Sequence, residues 1–238
     1  EYAQTYRFAN FIDSFTSAAP QFARSFLYAA IATILALAIS YPLAYAIAFR
    51  SGKWKNVLLV LVVAPFFVSF LLRTIAWTQI LGEQGFVIKV LRGLHLISSN
   101  THLTASAFAV VAGITYNFLP FMTLPLYSSL ERIDPKVLEA SGDLYANGFT
   151  TFRKVTLPLS MPGVVAGTLL TFIPAAGDYV NAEILGNPGT KMIGNVISAR
   201  YLQIVDYPGA AALSFILMAA ILILVSLYIR KAGTEELV

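Results

Sequence analysis

Apolar positions in this chain fall in long runs separated by short polar stretches, and five runs stand out: 26–49, 57–81, 103–130, 158–177 and 210–229. Each is long enough to cross a hydrocarbon core of about 30 Å as a helix. Pro42, Pro65, Pro120, Pro125, Pro162 and Pro174 lie inside these runs. They predict kinked helices whose freed backbone groups are satisfied by neighbouring helices. Gly163 and Gly167 have the spacing that lets two membrane helices approach closely, which is read here mainly as packing. One stretch breaks the apolar pattern. From 131 to 158 the chain is polar, and its first 24 residues carry eight charges. Burying these at the bilayer centre would cost roughly 2.5–3.5 kcal/mol each, so the segment lies outside the hydrocarbon. Asp134 followed by Pro135 reads as an N-cap and first helical position. At 3.6 residues per turn, Val137, Leu138, Ser141, Leu144 and Tyr145 share one face, with Lys136, Glu139 and Asp143 on the other. Asn147-Gly148 is then expected to reverse the chain.

Composition turns this pattern into a class. Of 238 residues, 58% are hydrophobic and 12% charged, and mean hydropathy is +0.73. A soluble domain carries about 25% charged residues. The fold class is therefore all-α integral membrane, with five spans in one membrane domain embedded in a lipid bilayer. The net charge is +4, but the basic residues are spread over every loop, with no cluster beyond Arg50, Lys53 and Lys55. No nucleic-acid partner is expected. Cysteine is absent, which excludes disulfides and thiolate metal sites. His95 and His102 have no acidic or cysteine neighbour in sequence, so no metal site is expected. The chain has no GxxxxGK[ST] phosphate loop, no GxSxG elbow, no HExxH pair and no close carboxylate pair within a run. No catalytic residues are assigned, and ATP is not expected to bind here.

The loops alternate between two sides. Nine positive residues (Arg50, Lys53, Lys55, Arg132, Lys136, Arg153, Lys154, Arg230 and Lys231) fall on one side, and six (Arg7, Arg24, Lys89, Arg92, Lys191 and Arg200) on the other. The short loop from Arg50 to Lys55 holds three positives and no negatives, which makes its side cytoplasmic. The 131–157 segment is then cytoplasmic too, and the start of the chain is outside. Because the first residue is Glu1 and nothing in 1–25 resembles a signal peptide, a sixth span is expected to precede this sequence.

EASGDLYANGFTTFRKVTLP, at 139–158, resembles the EAA loop of type I bacterial ABC importer permeases, whose pattern is E-A-A, three residues, G, nine residues, then I-x-L-P. Glu139, Ala140, Ser141, Val155, Leu157 and Pro158 match in spacing. The family's glycine position is Tyr145 here, with Gly148 three residues later. The expectation is that the turn has moved to Asn147-Gly148, a pair suited to left-handed backbone. LPFMTLPLYSSLERIDPKVLEASGDL, LPLSMPGVVAG and MIGNVISARYLQIVDYPGAAA are similar to the first permease of spermidine/putrescine importers. Permeases for sulfate, iron and thiamine share the same core and remain alternatives. A secondary transporter is disfavoured because no internal repeat or mid-membrane acid is evident.

The resemblance implies a permease domain over 26–230 that contains the coupling loop at 131–157, preceded by an external segment at 1–25 and followed by a cytoplasmic tail at 231–238. Its implied location is the bacterial inner membrane. It also implies four kinds of company: a second homologous permease, two cytoplasmic ATPase subunits that carry ATP and Mg, an external substrate-binding protein, and the bilayer. Glu139, Ala140, Ser141, Asp143, Tyr145, Asn147, Gly148, Leu157 and Pro158 would form the surface coupled to an ATPase subunit, with Leu157 and Pro158 serving equally as a helix entry. For a polyamine, Asp178, Tyr179 and Glu183 are candidates at the outer mouth, where carboxylates attract a cation and a ring face offers a cation–π contact; a solvated Asp178 is the alternative. Thr115, Tyr116 and Asn117 either hydrogen-bond another helix or line the route. Trp77 reads as an interface anchor or a path residue, and Arg73 is expected to snorkel to the outer surface.

Overall fold

The computed structural model describes residues 9–93 and 103–232. His95 and His102 lie outside the described residues. The first helix, α1 (Ala9–Phe49), has 41 residues, about 60 Å at 1.5 Å per residue. That is twice the hydrocarbon thickness, and the helix passes without a break through the 25/26 boundary read from the sequence. Its first half carries the helix's two charged residues, Asp13 and Arg24, and its second half is uncharged; both are helical because an α-helix satisfies its backbone groups within the segment.

The second apolar run does not form a straight span. α2 (Lys55–Val63) tightens into a 3₁₀ turn at Ala64–Phe67, and α3 (Phe70–Ile80) leaves at 96°. Pro65 has no N–H to donate, and Val68 and Ser69 are extended, with ψ of 141° and 134°. A short α4 (Phe86–Gly93) follows. α5 (Ala107–Glu131) starts four residues later than the apolar run, where the Ser106 side chain accepts from the Ala109 N–H at 3.2 Å. The polar segment forms α6 (Pro135–Asp143) and α7 (Gly148–Thr151), then a π-helical turn at Phe152–Thr156 and α8 (Leu157–Leu159). A 64° bend separates it from α9 (Met161–Ala176). Short α10 (Val180–Leu185) and α11 (Ile193–Ala199) lead into α12 (Tyr207–Ala232). Among the described residues, three helices are long and apolar enough to cross a membrane, and the count reaches five if each bent pair is one span.

α1, α5 and α9 form the central trio, with α12 packed outside α1. The most apolar window of α5 is 61% buried and that of α12 only 17%, so α5 is the axis and α12 presents most of its surface outward. Contact within the trio is close because small residues sit at the crossings. Ala29, Ala32 and Ala36 of α1 are fully buried. A Cβ built on Gly163 would stand 2.6 Å from the Ser129 Cβ, and one on Gly167 would stand 2.8 Å from the Met122 Sδ. The paired glycines therefore pack α9 against α5, in an environment where van der Waals contact supplies the association that water cannot. At one end of the bundle, Lys55 pairs with Glu131 and its ammonium lies 5.3 Å from the centre of the Tyr127 ring. This places the basic 50–55 loop beside the polar segment, as the charge pattern predicts.

Candidate coupling surface and outer cavity

The polar 131–158 segment is a small folded unit held by its own polar groups. Asp134 caps α6 by accepting from the Lys136 N–H at 2.9 Å, with Pro135 at the first helical position. Ser141 is buried, and its hydroxyl lies 2.8 Å from that of Thr151, pinning α6 to α7. The reversal between them differs from the sequence expectation. The Ala146 N–H donates to the Ser141 carbonyl at 3.1 Å and the Tyr145 N–H to the Gly142 carbonyl at 2.9 Å. These are the two bonds of a Schellman C-cap. Tyr145 itself is left-handed, with φ of +59°, so tyrosine performs the turn at the position where the resembling family has glycine. Asn147 and Gly148 do not make the turn. Asn147 has ordinary extended backbone and N-caps α7 by accepting from the Thr150 N–H at 2.8 Å. Open space surrounds the position where a Cβ on Gly148 would sit.

The predicted two-faced helix is also redistributed. Of its apolar side, only Leu138 and Ser141 turn inward, whereas Leu144 is 82% exposed, Tyr145 99% and Phe149 73%. Glu139, Ala140 and Asp143 are exposed as well. The outward tip is thus apolar and aromatic with acidic neighbours, on a backbone fixed by caps. Its mount leads directly to the core. The Tyr41 ring of α1 stands edge-on to the Phe152 ring at 5.5 Å, and the Tyr41 hydroxyl lies 2.7 Å from that of Ser160. Leu157 and Pro158 occupy the short helix between tip and bend, with Pro158 exposed and Leu157 partly covered, which fits the helix-entry reading.

At the other end, the sequence candidates separate into different settings. Asp178 is buried, turned inward instead of standing at the mouth. Its carboxylate accepts from the Asn181 N–H at 2.9 Å and from Asn181 Nδ2 at 2.7 Å. Asn181 Oδ1 in turn accepts from Asn117 Nδ2 at 3.1 Å and Thr74 Oγ1 at 3.3 Å. The acid and the α5 amide therefore belong to one buried network joining the α9–α10 turn, α5 and α3. Leaving a member of such a network unpaired is costly in a low dielectric. Thr115 bonds within its own helix, to the Val111 carbonyl at 2.7 Å, rather than to a neighbour. Tyr116 pairs with Trp77, ring centres 5.5 Å apart, and the two stand apart from the outer acids.

Tyr179 and Glu183 do reach the surface. Tyr179 lines an open cavity of about 860 Å³ together with Tyr201 and Tyr207, whose rings meet edge-on at 5.1 Å. Glu183 is exposed, and its Oε2 accepts from Asn195 Nδ2 at 2.8 Å, the same group that bonds the Tyr179 carbonyl at 2.9 Å. The cavity floor is narrow because Gly194 admits close backbone approach: a Cβ there would sit 2.6 Å from the Gly177 carbonyl oxygen. Outer α1 closes the neighbourhood. Arg200 donates to Ser14 and Ser17 at 3.1 and 2.8 Å and pairs with Asp206 at 3.5 Å. The Ile193 N–H donates to Ser25 at 2.7 Å. Sequence reasoning missed Tyr201, Tyr207, Asn181 and Asn195. Only the Asp178-x-x-Asn181 spacing, suited to a side chain bonding the backbone three residues on, signals any of them. Arg73 does not snorkel outward but is buried at 7% exposure.

The chain was compared with known proteins. Residues 40–232 match the family described as binding-protein-dependent transport system inner membrane component. The chain is 38% identical over 200 residues to the spermidine/putrescine transport system permease protein PotB of Haemophilus influenzae, covering 84% of this chain and 70% of that one. It is 36% identical over 204 residues to PotB of Escherichia coli K12, covering 86% and 74%. Similarity to the inner membrane ABC transporter permease protein YdcU of the same strain is 34% over 227 residues, covering 90% and 71%. Among solved structures, a bacterial ABC transporter involved in import of the acidic polysaccharide alginate superposes with a TM-score of 0.71 at 16% identity, covering 92% of this chain and 82% of that one. The inward-facing MetNI methionine ABC transporter gives 0.62 at 18% identity, covering 90% and 92%. These two likenesses speak to the fold alone.

Proposed function

Since this chain belongs to the binding-protein-dependent transport system inner membrane components, we propose that it is the permease subunit of an ATP-driven importer carrying polyamines across a bacterial inner membrane. The observation that carries the substrate class is the 36–38% identity to spermidine/putrescine permeases over most of this chain. Its partners are a second homologous permease, two cytoplasmic ATPase subunits that hold ATP and Mg, and an external substrate-binding protein. The chain itself is non-catalytic and binds no nucleotide, in keeping with the missing phosphate loop.

The tip formed by Leu144, Tyr145 and Phe149, with Glu139 and Asp143 beside it, docks on an ATPase subunit. Large apolar groups on a rigid support are what an interface hot spot requires. Closure of the ATPase pair moves the tip, and the Tyr41, Phe152 and Ser160 contacts pass that movement to α1 and α9. The bent spans then alternate between outward and inward access. At the outer end, Tyr179, Tyr201 and Tyr207 offer ring faces to an ammonium group, and Glu183 supplies counter-charge. Trp77 and Tyr116 lie further along the path, while Asp178 and Asn117 hold its wall.

The test is uptake by the complete importer in vesicles, with labelled spermidine, putrescine, thiamine, sulfate and iron offered separately. ATP-dependent accumulation of the polyamines is expected. Accumulation of another solute instead, or polyamine entry without ATP, would overturn the reading.

A further inference from the structure

Arg73 is the feature that the transport reading leaves unexplained. It sits one turn into α3, just past the 96° break, and is buried among apolar groups. Its guanidinium lies 5.4 Å from the Phe66 ring centre and 5.7 Å from that of Phe70. Cation–π contact offsets part of the lost hydration, but rings supply no hydrogen-bond acceptor in the plane of the guanidinium. Nε and Nη1 are buried with no hydrogen-bond partner. A guanidinium keeps its charge on burial, so this donor set calls for an anion.

Arg73 borders two cavities, of about 270 and 400 Å³, and among the described residues no acidic side chain lines either one. The larger is walled by Phe66, Phe67, Val68 and Phe121, and Asn117 Oδ1, which borders it, is also unpartnered. Polar groups of two helices therefore border a space that no described residue of this chain fills. Around it the surface is strongly apolar: Phe67 is 87% exposed, Leu72 60% and Leu71 51%. An imported polyamine is a cation and cannot satisfy Arg73.

We propose that the bend at 64–73 is a contact surface for the second permease, which inserts an aspartate or glutamate carboxylate onto Arg73. A carboxylate matches a guanidinium with two hydrogen bonds, and the apolar rim suits a helix laid across it. This rests on the importer reading in requiring a second membrane subunit. It does not depend on which solute is carried.

The test uses the complete importer in vesicles of phosphatidylethanolamine, with and without phosphatidylglycerol. Arg73→Met is expected to lower recovery of the second permease with this chain, and ATP-driven uptake, at least tenfold, with Arg73→Lys intermediate. Each membrane-depth Asp or Glu of the second permease is then changed to Asn or Gln in the Arg73→Met background. One such change is expected to restore recovery and uptake, because the unpaired carboxylate is gone. Failure of every pair to restore, or wild-type behaviour of Arg73→Met, overturns the proposal. So does a phosphatidylglycerol requirement of the wild type that Arg73→Met abolishes, which would make a lipid phosphate the ligand. Recovery of the second permease is measured without substrate, so a wrong polyamine assignment leaves this readout intact.

Discussion

The two ends of the bundle use polar and apolar groups in opposite ways. At the end formed by the polar segment, Asp134, Ser141 and Asn147 use their hydrogen bonds to fix α6 and α7, and the large apolar side chains Leu144, Tyr145 and Phe149 are left outside. At the opposite end Asp178, the one buried acid among the described residues, is committed to internal bonding, while tyrosines line the open cavity. In both places large aromatic side chains face outward beside exposed carboxylates, Glu139 and Asp143 at one end and Glu183 at the other, while Asp178 is turned inward. Asp134, Asn147, Asp178 and Asn181 hold the scaffold, and aromatic side chains make up much of the exposed surface at both ends.

Substitutions can break that comparison, the largest effect coming from the tip. Phe149→Ala with Leu144→Ala should weaken capture of the ATPase subunit by roughly 30-fold or more, taking about 2 kcal/mol for one lost hot spot. Pull-down from membranes measures this, and unchanged capture would remove the tip from the interface. Next is Asp178→Ala, which leaves Asn181 Nδ2 without its acceptor and should lower stability by roughly 1–3 kcal/mol. A thermal melt of the purified complex checks it. If the melt is unchanged and only the apparent KM for polyamine rises, Asp178 contacts substrate after all.

Tyr145→Gly sharpens the distinction between support and surface. It should stabilise the α6 C-cap by about 1 kcal/mol, since a non-glycine residue pays roughly 1–2 kcal/mol to be left-handed, yet it removes an exposed ring. A higher melting temperature together with weaker ATPase capture is expected; improvement in both would mean that the ring takes no part in docking. The smallest effect belongs to Gly148→Ala. With ordinary backbone and nothing near the new methyl group, stability and uptake should stay within about 0.5 kcal/mol of wild type. A large loss in a growth or uptake assay would mean that this site touches the partner directly.

Much of the architecture was legible in the residues. The apolar runs, the polar segment, the Asp134-Pro135 start of α6 and the glycine pair of α9 all appear where local composition places them. The candidate sites were legible only in part. Glu139 and its neighbours were singled out by spacing and are exposed, but the exposure of Leu144 and the burial of Asp178 were not legible. An amphipathic pattern says which residues share a face and does not say which face is covered. For α6 the cover is a single turn of helix, α7, so only Leu138 and Ser141 are taken inward.

By itself, then, the sequence determined that this is a helical membrane protein with a charged excursion between apolar runs, because hydropathy, proline and capping act over a few neighbouring residues. The family resemblance followed from the spacing within the 139–158 loop and from similar segments between 119 and 212. Only the tertiary structure decided the 96° bend, the left-handed Tyr145, the inward turn of Asp178 and the unanswered charge of Arg73. The inward setting of Asp178 and the burial of Arg73 depend on groups brought together from distant positions, as when Asn117 and Asn181, 64 residues apart, share one hydrogen bond. Such contacts are set by the packing of whole helices, which no local pattern encodes.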